Sequence, residues 1–214
     1  QDVLINCIGI MSRHAEILET VHHHTPKQLA AWAKSAGIKH WVQLSALGAD
    51  PSQPINFVGS KGRGDNAIAQ SGIPIAIARP SVVYGRGGTS CELFIKLARL
   101  PLLLLPEGGR FHLQPVHLAD VAEGLAKLAV LTGNNHSIIN MTSSQTLTLT
   151  EYLTILRQTL HHKPPQRILP VPLRLINPAL PLVNILSNDI ISRDSFALLK
   201  QGSCADYSDF AALL

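Results

Sequence analysis

Three short apolar runs, Val3–Ile8, His40–Ser45 and Ile73–Ala78, stand so far apart that each needs a crossover connection to the next. The first stops at Gly9 and the third at Arg79-Pro80. Between the runs lie stretches with helical spacing. Leu29, Ala30, Ala33 and Ala36 recur on one side of a helix expected over about Pro26–Ser35, and Gly37 closes it. A second helix is expected from about Ile55 to Gln70, ending at Ser71-Gly72. Glycine just past a helix accepts the left-handed conformation that ends it. Strands separated by helices pair parallel, since antiparallel neighbours need only a tight turn. The expected fold class is therefore α/β, a Rossmann-like doubly wound parallel sheet with helices on both faces.

Beyond Gly88 the alternation loosens. Glu92–Leu100 reads as a helix and Pro101–Arg110 as a loop. Asp120-Val-Ala-Glu123 reads as a capping box opening another helix. Ser137–Asn140 is expected as a last short strand, followed by a helix near Thr150–Leu160. Six prolines between His161 and Ser187 argue against regular structure there, and Asp189–Gln201 is expected as a closing helix. The expected division is the C-terminal part of the α/β domain over 1–150 and a small substrate or partner lobe over 151–214, to which 87–109 also contributes.

Composition narrows the function classes. Of 214 residues, 46% are hydrophobic and 15% charged, a balance that excludes a disordered chain. The net charge of +4 is spread over single Lys and Arg residues without basic blocks, which speaks against nucleic-acid binding and suits an anionic small ligand. Cys7, Cys91 and Cys204 are odd in number and lack a CxxC pair, so they read as reduced thiols in a cytoplasmic setting. Leu100–Pro106 and Ile168–Leu186 are apolar but broken by prolines and Arg174, short of the ~20 residues of a membrane span. The second stretch leaves contact with a membrane or a protein partner open.

Three motifs fall at strand ends: Asn6-Cys-Ile-Gly9, then Ser45 with Phe57-Val-Gly-Ser-Lys61 on the following helix, then Arg79-Pro-Ser-Val-Val-Tyr-Gly85. Ligands of an open parallel sheet sit at the carboxyl ends of its strands, so all three face one crevice. This pattern, with Ile38–Asp50 and Gln114–Glu123, resembles the extended and atypical short-chain dehydrogenases/reductases. Within them it is closest to the group similar to the nucleotide-binding accessory subunit of respiratory complex I. The resemblance covers Asp2 to about Thr150.

That resemblance implies an NAD or NADP cofactor and assigns roles by position. Ser45 matches the serine that polarises a substrate oxygen, and Lys61 the lysine that holds the nicotinamide ribose. Phe57 stands at the position of the family's catalytic tyrosine. An i,i+4 spacing keeps Phe57 and Lys61 on one helix face, but a phenyl ring has no proton to give. Asn6, Cys7, Ile8 and Gly9 would line the adenosine side of the cofactor, and Pro80, Ser81, Val82 and Val83 would also contact it. Ala46, Phe57 and Tyr84 would shape the substrate pocket. The family's glycine-rich GxGxxG turn is not matched by Gly62-Arg-Gly64 or Gly85-Arg-Gly-Gly88. The expectation is that the phosphate cradle precedes Gln1 and that residues 1–214 alone bind the cofactor poorly.

His22-His-His24 prompts a metal reading, but the sequence offers no recognised carboxylate or cysteine spacing to complete a site, and the expectation is no metal. His22 falls where extended members carry a structural asparagine, which implies packing or a bridged water. Two function classes stay open. One is a nucleotide-binding stabilising or assembly component with weak or no redox catalysis, peripheral to the inner membrane as the complex I resemblance implies. The other is an NAD(P)-dependent reductase or epimerase-type oxidoreductase with another proton donor, such as Tyr84.

Overall fold

The computed structural model describes residues 2–131, 137–172 and 193–214. Strand β1 (Val3–Asn6) leads into one long helical run made of α1 (Ala15–Glu19), a π-helical turn (Thr20–His24) and α2 (Thr25–Ser35). Then follow β2 (His40–Leu44), α3 (Asn56–Ala69), β3 (Ile75–Pro80), β4 (Val83–Tyr84) and α4 (Thr89–Arg99). β5 (Leu102–Pro106), β6 (His112–Leu113) and β7 (Val116–His117) precede α5 (Leu118–Val130) and β8 (Ser137–Met141). β9 (Leu147–Thr148), α6 (Leu149–His161), β10 (Arg167–Val171), α7 (Arg193–Gln201) and α8 (Ser208–Leu213) complete the described elements.

β1, β2, β3 and β8 form a parallel sheet in the order β1-β2-β3-β8, as the strand–helix alternation requires. Its strands alternate their side chains between two packed faces. Trp41, Ile75 and Ile77 face Ala30 and Ala33 of α2 and Ile68 of α3. Val42, Ala76 and Ala78 face Val121, Leu125 and Leu128 of α5, with Phe210 of α8 in the same cluster. Both faces are thus covered, which makes the sheet doubly wound.

A separate apolar cluster joins Phe94 of α4, Leu103 and Leu105 of β5, Phe111, Leu113 and Leu149, Tyr152 and Leu153 of α6. Residue 150, the expected boundary, lies at the start of α6, and Phe210 packs on the sheet.

Several local expectations are corrected. Pro101–Arg110 is not a plain loop, nor is the proline-rich stretch wholly irregular, because β5 and β10 pair parallel in register Leu102↔Arg167 to Pro106↔Val171. Leu103 and Leu105 turn inward while Leu102 and Leu104 stay exposed, a two-residue period that proline flanks had masked. Pro170 is tolerated because, among the described residues, this sheet has two strands and so leaves an unpaired edge. Helix α5 starts at Leu118, and its cap is His117, whose Nδ1 accepts from the Ala119 N–H at 3.2 Å. Asp120 lies inside the first turn, and Glu123 pairs with Lys127 at 3.0 Å instead of closing a capping box. The capping box belongs to α6, where Thr148 and Glu151 satisfy each other's backbone amides. The expected closing helix is described from Arg193; residues 189–192 lie outside the described residues.

Candidate functional site

The carboxyl ends of β1, β2 and β3 bring the sequence motifs together. Asn6 ends β1 and is buried. Its amide donates to Gln43 Oε1 at 2.9 Å, and its Oδ1 accepts from the Ile8 N–H at 3.1 Å. That short turn lifts Cys7, Ile8 and Gly9 clear of the sheet, and all three are exposed. Ser45 follows β2 and continues the pairing to β3, its N–H donating to the Ala78 carbonyl at 2.8 Å. Pro80 is buried at the end of β3. Ser81 hydrogen-bonds Ser203, and Val83 pairs with Val116. Ala46 is half-buried beside Ser45.

Helix α3 crosses below these strand ends and carries Phe57 and Lys61 one turn apart. Lys61 is 7% exposed, and its Nζ donates to the Leu44 carbonyl at 3.1 Å. It stands 5.9 Å from the centre of the Phe57 ring. Burial pulls its pKa down to about 8, opposed by the negative charge of Asp65, so the amine still carries its proton at neutral pH. Gly9 faces this amine. A Cβ there would come to 3.2 Å from Lys61 Nζ and 3.7 Å from His22 Nε2, so glycine leaves open the space in front of both.

Two further groups belong to this cluster: Asp65, not singled out in the sequence, and His22, expected there as a packing or water-bridging residue. Asp65, four residues beyond Lys61, is buried and accepts from Ser45 Oγ at 2.7 Å and from Arg79 at 3.2 Å. Its second oxygen, Oδ1, is buried without a hydrogen-bond partner, as is Arg79 Nε. Burial raises the Asp65 pKa, while Ser45, Arg79 and Lys61 hold it down. The i+4 spacing from Lys61 was the available signal, since it repeats the Phe57–Lys61 interval. The other group is His22, also buried. Its Nε2 accepts from the Ile10 N–H at 3.1 Å, its Nδ1 lies 3.0 Å from Ser60 Oγ, and its ring meets Phe57 edge-on at 5.4 Å. Burial and the Lys61 charge lower its pKa to about 4, so the ring is neutral. The packing role expected for it matches these contacts.

Tyr84 sits elsewhere on this edge. It is 36% exposed and packs edge-on against His117 at 5.0 Å. Taken together, the cluster offers a buried ammonium with protons to spare, a glycine in front of it, and a serine hydroxyl committed to a carboxylate. Those parts suit the hydroxyls of a ribose.

No family model matches the chain. It is 31% identical over 129 residues to the mitochondrial NADH dehydrogenase [ubiquinone] 1 alpha subcomplex subunit 9 of Arabidopsis thaliana, covering 58% of this chain and 32% of that protein. It is 23% identical over 200 residues to the mitochondrial NADH-ubiquinone oxidoreductase 40 kDa subunit of Neurospora crassa, covering 90% of this chain and 52% of that one. A ceramide reductase of Caulobacter vibrioides is 29% identical over 127 residues, covering 58% and 39%. The chain spans between about a third and a half of the length of these curated relatives. Among solved structures, a nucleoside-diphosphate-sugar epimerase of Staphylococcus aureus superposes with a TM-score of 0.74 at 15% identity, over 100% of this chain and 72% of its own.

The resemblance to the extended short-chain group holds in both sequence and fold. Other structures sharing the fold were crystallised with NAD or NADP. Among the described residues no helix is long and apolar enough to cross a membrane.

Proposed function

We propose that the protein binds NAD or NADP at the carboxyl ends of β1–β3 and has weak or no redox turnover, serving as a stabilising or assembly component. The observation that carries this reading is where the protons lie. Phe57, at the position of the family's tyrosine, has none to donate, and the Ser45 hydroxyl is given to Asp65 at 2.7 Å. Lys61, by contrast, spends one of its three donors on Leu44 and keeps two for ribose hydroxyls. The bound dinucleotide would supply hydride chemistry. The chain's own residues supply binding and orientation without a positioned general acid. Similarity to two complex I subunits supports a protein partner, met through the lobe built on α4 and α6.

Isothermal titration of the complete protein with NADH and NADPH tests the binding half. Lys61→Ala is expected to weaken affinity by about 1–3 kcal/mol, the loss of a charge-assisted hydrogen bond. An unchanged dissociation constant, with the circular dichroism spectrum intact, removes Lys61 from the site.

A second reading, an NAD(P)-dependent reductase or epimerase-type enzyme, is supported by the presence of both Ser45 and Lys61 and by the similarity to a ceramide reductase. It requires carbonyl-dependent oxidation of the reduced cofactor by the unmodified protein. If Tyr84 is its proton donor, that activity is lost in Tyr84→Phe.

A further inference from the structure

The run of three histidines does not act as one unit. His22 is turned inward onto Ser60 and the Ile10 amide, whereas His23 is half-buried and His24 exposed. In a regular α-helix, Glu19 and His23 share a face but His24, five residues on, lies about 140° round the axis from Glu19. The π-helical turn changes this. The Thr25 N–H donates to the Thr20 carbonyl five residues back, and the widened turn brings the fifth residue round over the first. Glu19, His23 and His24 consequently offer one ligand atom each, all within 4.8 Å of one another. His23 Nδ1 already lies 3.2 Å from Glu19 Oε2. The His23 and His24 rings stack at 4.6 Å, and a shared ion requires them to turn about their side-chain bonds until both lone pairs point at it.

We propose that Glu19, His23 and His24 form a surface site for a divalent transition-metal ion of the zinc class. Two imidazoles and one carboxylate are the donor set that zinc, nickel and cobalt share, with a fourth position left to water. The metal takes the place of the proton between His23 Nδ1 and Glu19 Oε2, and the ring proton moves to Nε2. The carboxylate is held ready from its other side, where Arg63 donates to Glu19 Oε1 through Nε at 2.9 Å and also reaches the Pro51 carbonyl. Such support fixes the direction of a ligating oxygen. The Arg63 charge opposes the incoming ion, so the site is a weak one.

Zinc chloride titrated calorimetrically into the chelator-stripped complete protein tests this. One ion is expected to bind, and His23→Ala and His24→Ala are each expected to cut the affinity at least ten-fold. Both changes leave the Arg63 bonds to Glu19 Oε1 in place, His23→Ala losing only the His23 contact to Oε2, so both variants should stay folded. His162→Ala, at the far end of α6, serves as the control for adventitious histidine binding. Zinc should also raise the melting temperature of the unmodified protein and not that of His24→Ala. Absence of binding to the unmodified protein, or equal binding by the His23→Ala and His24→Ala variants, overturns the assignment.

Discussion

The Ser45 hydroxyl donates to the buried carboxylate of Asp65 over 2.7 Å. Asp65 is in turn bridged to Arg79, and the Lys61 ammonium lies on the same helix one turn earlier. A serine held in this way positions a buried charge.

Asp65→Ala should therefore be costly to the fold. It strips Arg79 of its carboxylate and leaves the Ser45 hydroxyl without its acceptor. The expected loss is about 3 kcal/mol, the low end for breaking a buried pair, because Arg79 keeps some solvent contact. Urea unfolding of the two proteins measures it, and a difference within about 0.5 kcal/mol would place the pair among surface interactions of little weight.

Lys61 should titrate with a midpoint of about 8, as burial disfavours its charged form. Asp65 pulls the other way, so Asp65→Asn should move the midpoint lower still. Its folded pKa lies below its unfolded one, so the burial cost to stability is fully felt below about pH 8 and fades as pH rises towards the unfolded value. Carbon-13 chemical shifts of the Lys61 Cε followed against pH give both midpoints. An ordinary lysine value in the unmodified protein would show that water reaches the amine.

Phe57→Tyr restores an acid beside Lys61, where general acid–base assistance is worth about 10²- to 10⁴-fold in an organised site. With Ser45 committed to Asp65, no gain above background is expected on a panel of carbonyl substrates. Cofactor oxidation at 340 nm in the complete protein is the measurement. A large gain would mean that the substrate pocket is still aligned for hydride transfer.

Gly64 lies where α3 crosses the π-helical turn, and a Cβ added there would run into the His22 carbonyl oxygen. Gly64→Ala should destabilise the fold by about 1–3 kcal/mol despite the better helix propensity of alanine. Thermal melts of the variant decide it, since a gain in stability would mean that the two helices can move apart freely.

The sheet was legible because burial on both faces writes itself as mainly apolar runs; Ile73–Ala78 is unbroken, and His40–Ser45 keeps Trp41, Val42 and Leu44 between its polar residues. The Phe57–Lys61 pair was legible because helical spacing alone places it. Asp65 was missed because its meaning lies in a contact with Ser45, twenty residues earlier and on another element. The long helix after β1 was seen only from Pro26 onward. Its buried residues Leu18, His22, Pro26 and Ala30 recur every four positions, and two of the four are not hydrophobic signals.

That four-residue recurrence depends on the wide turn. A straight α-helix would drift by about 40° at each such step, and the one extra residue taken up between Thr20 and His24 absorbs the drift. Removing that residue would return the turn to regular α-helix, and the roughly eleven remaining steps from Leu18 to Ala30 would still make about three whole turns. Ala30 and Ala33 would keep their places against the sheet. A one-residue deletion here is thus absorbed locally, at the cost of the juxtaposition of Glu19, His23 and His24 that the wide turn creates.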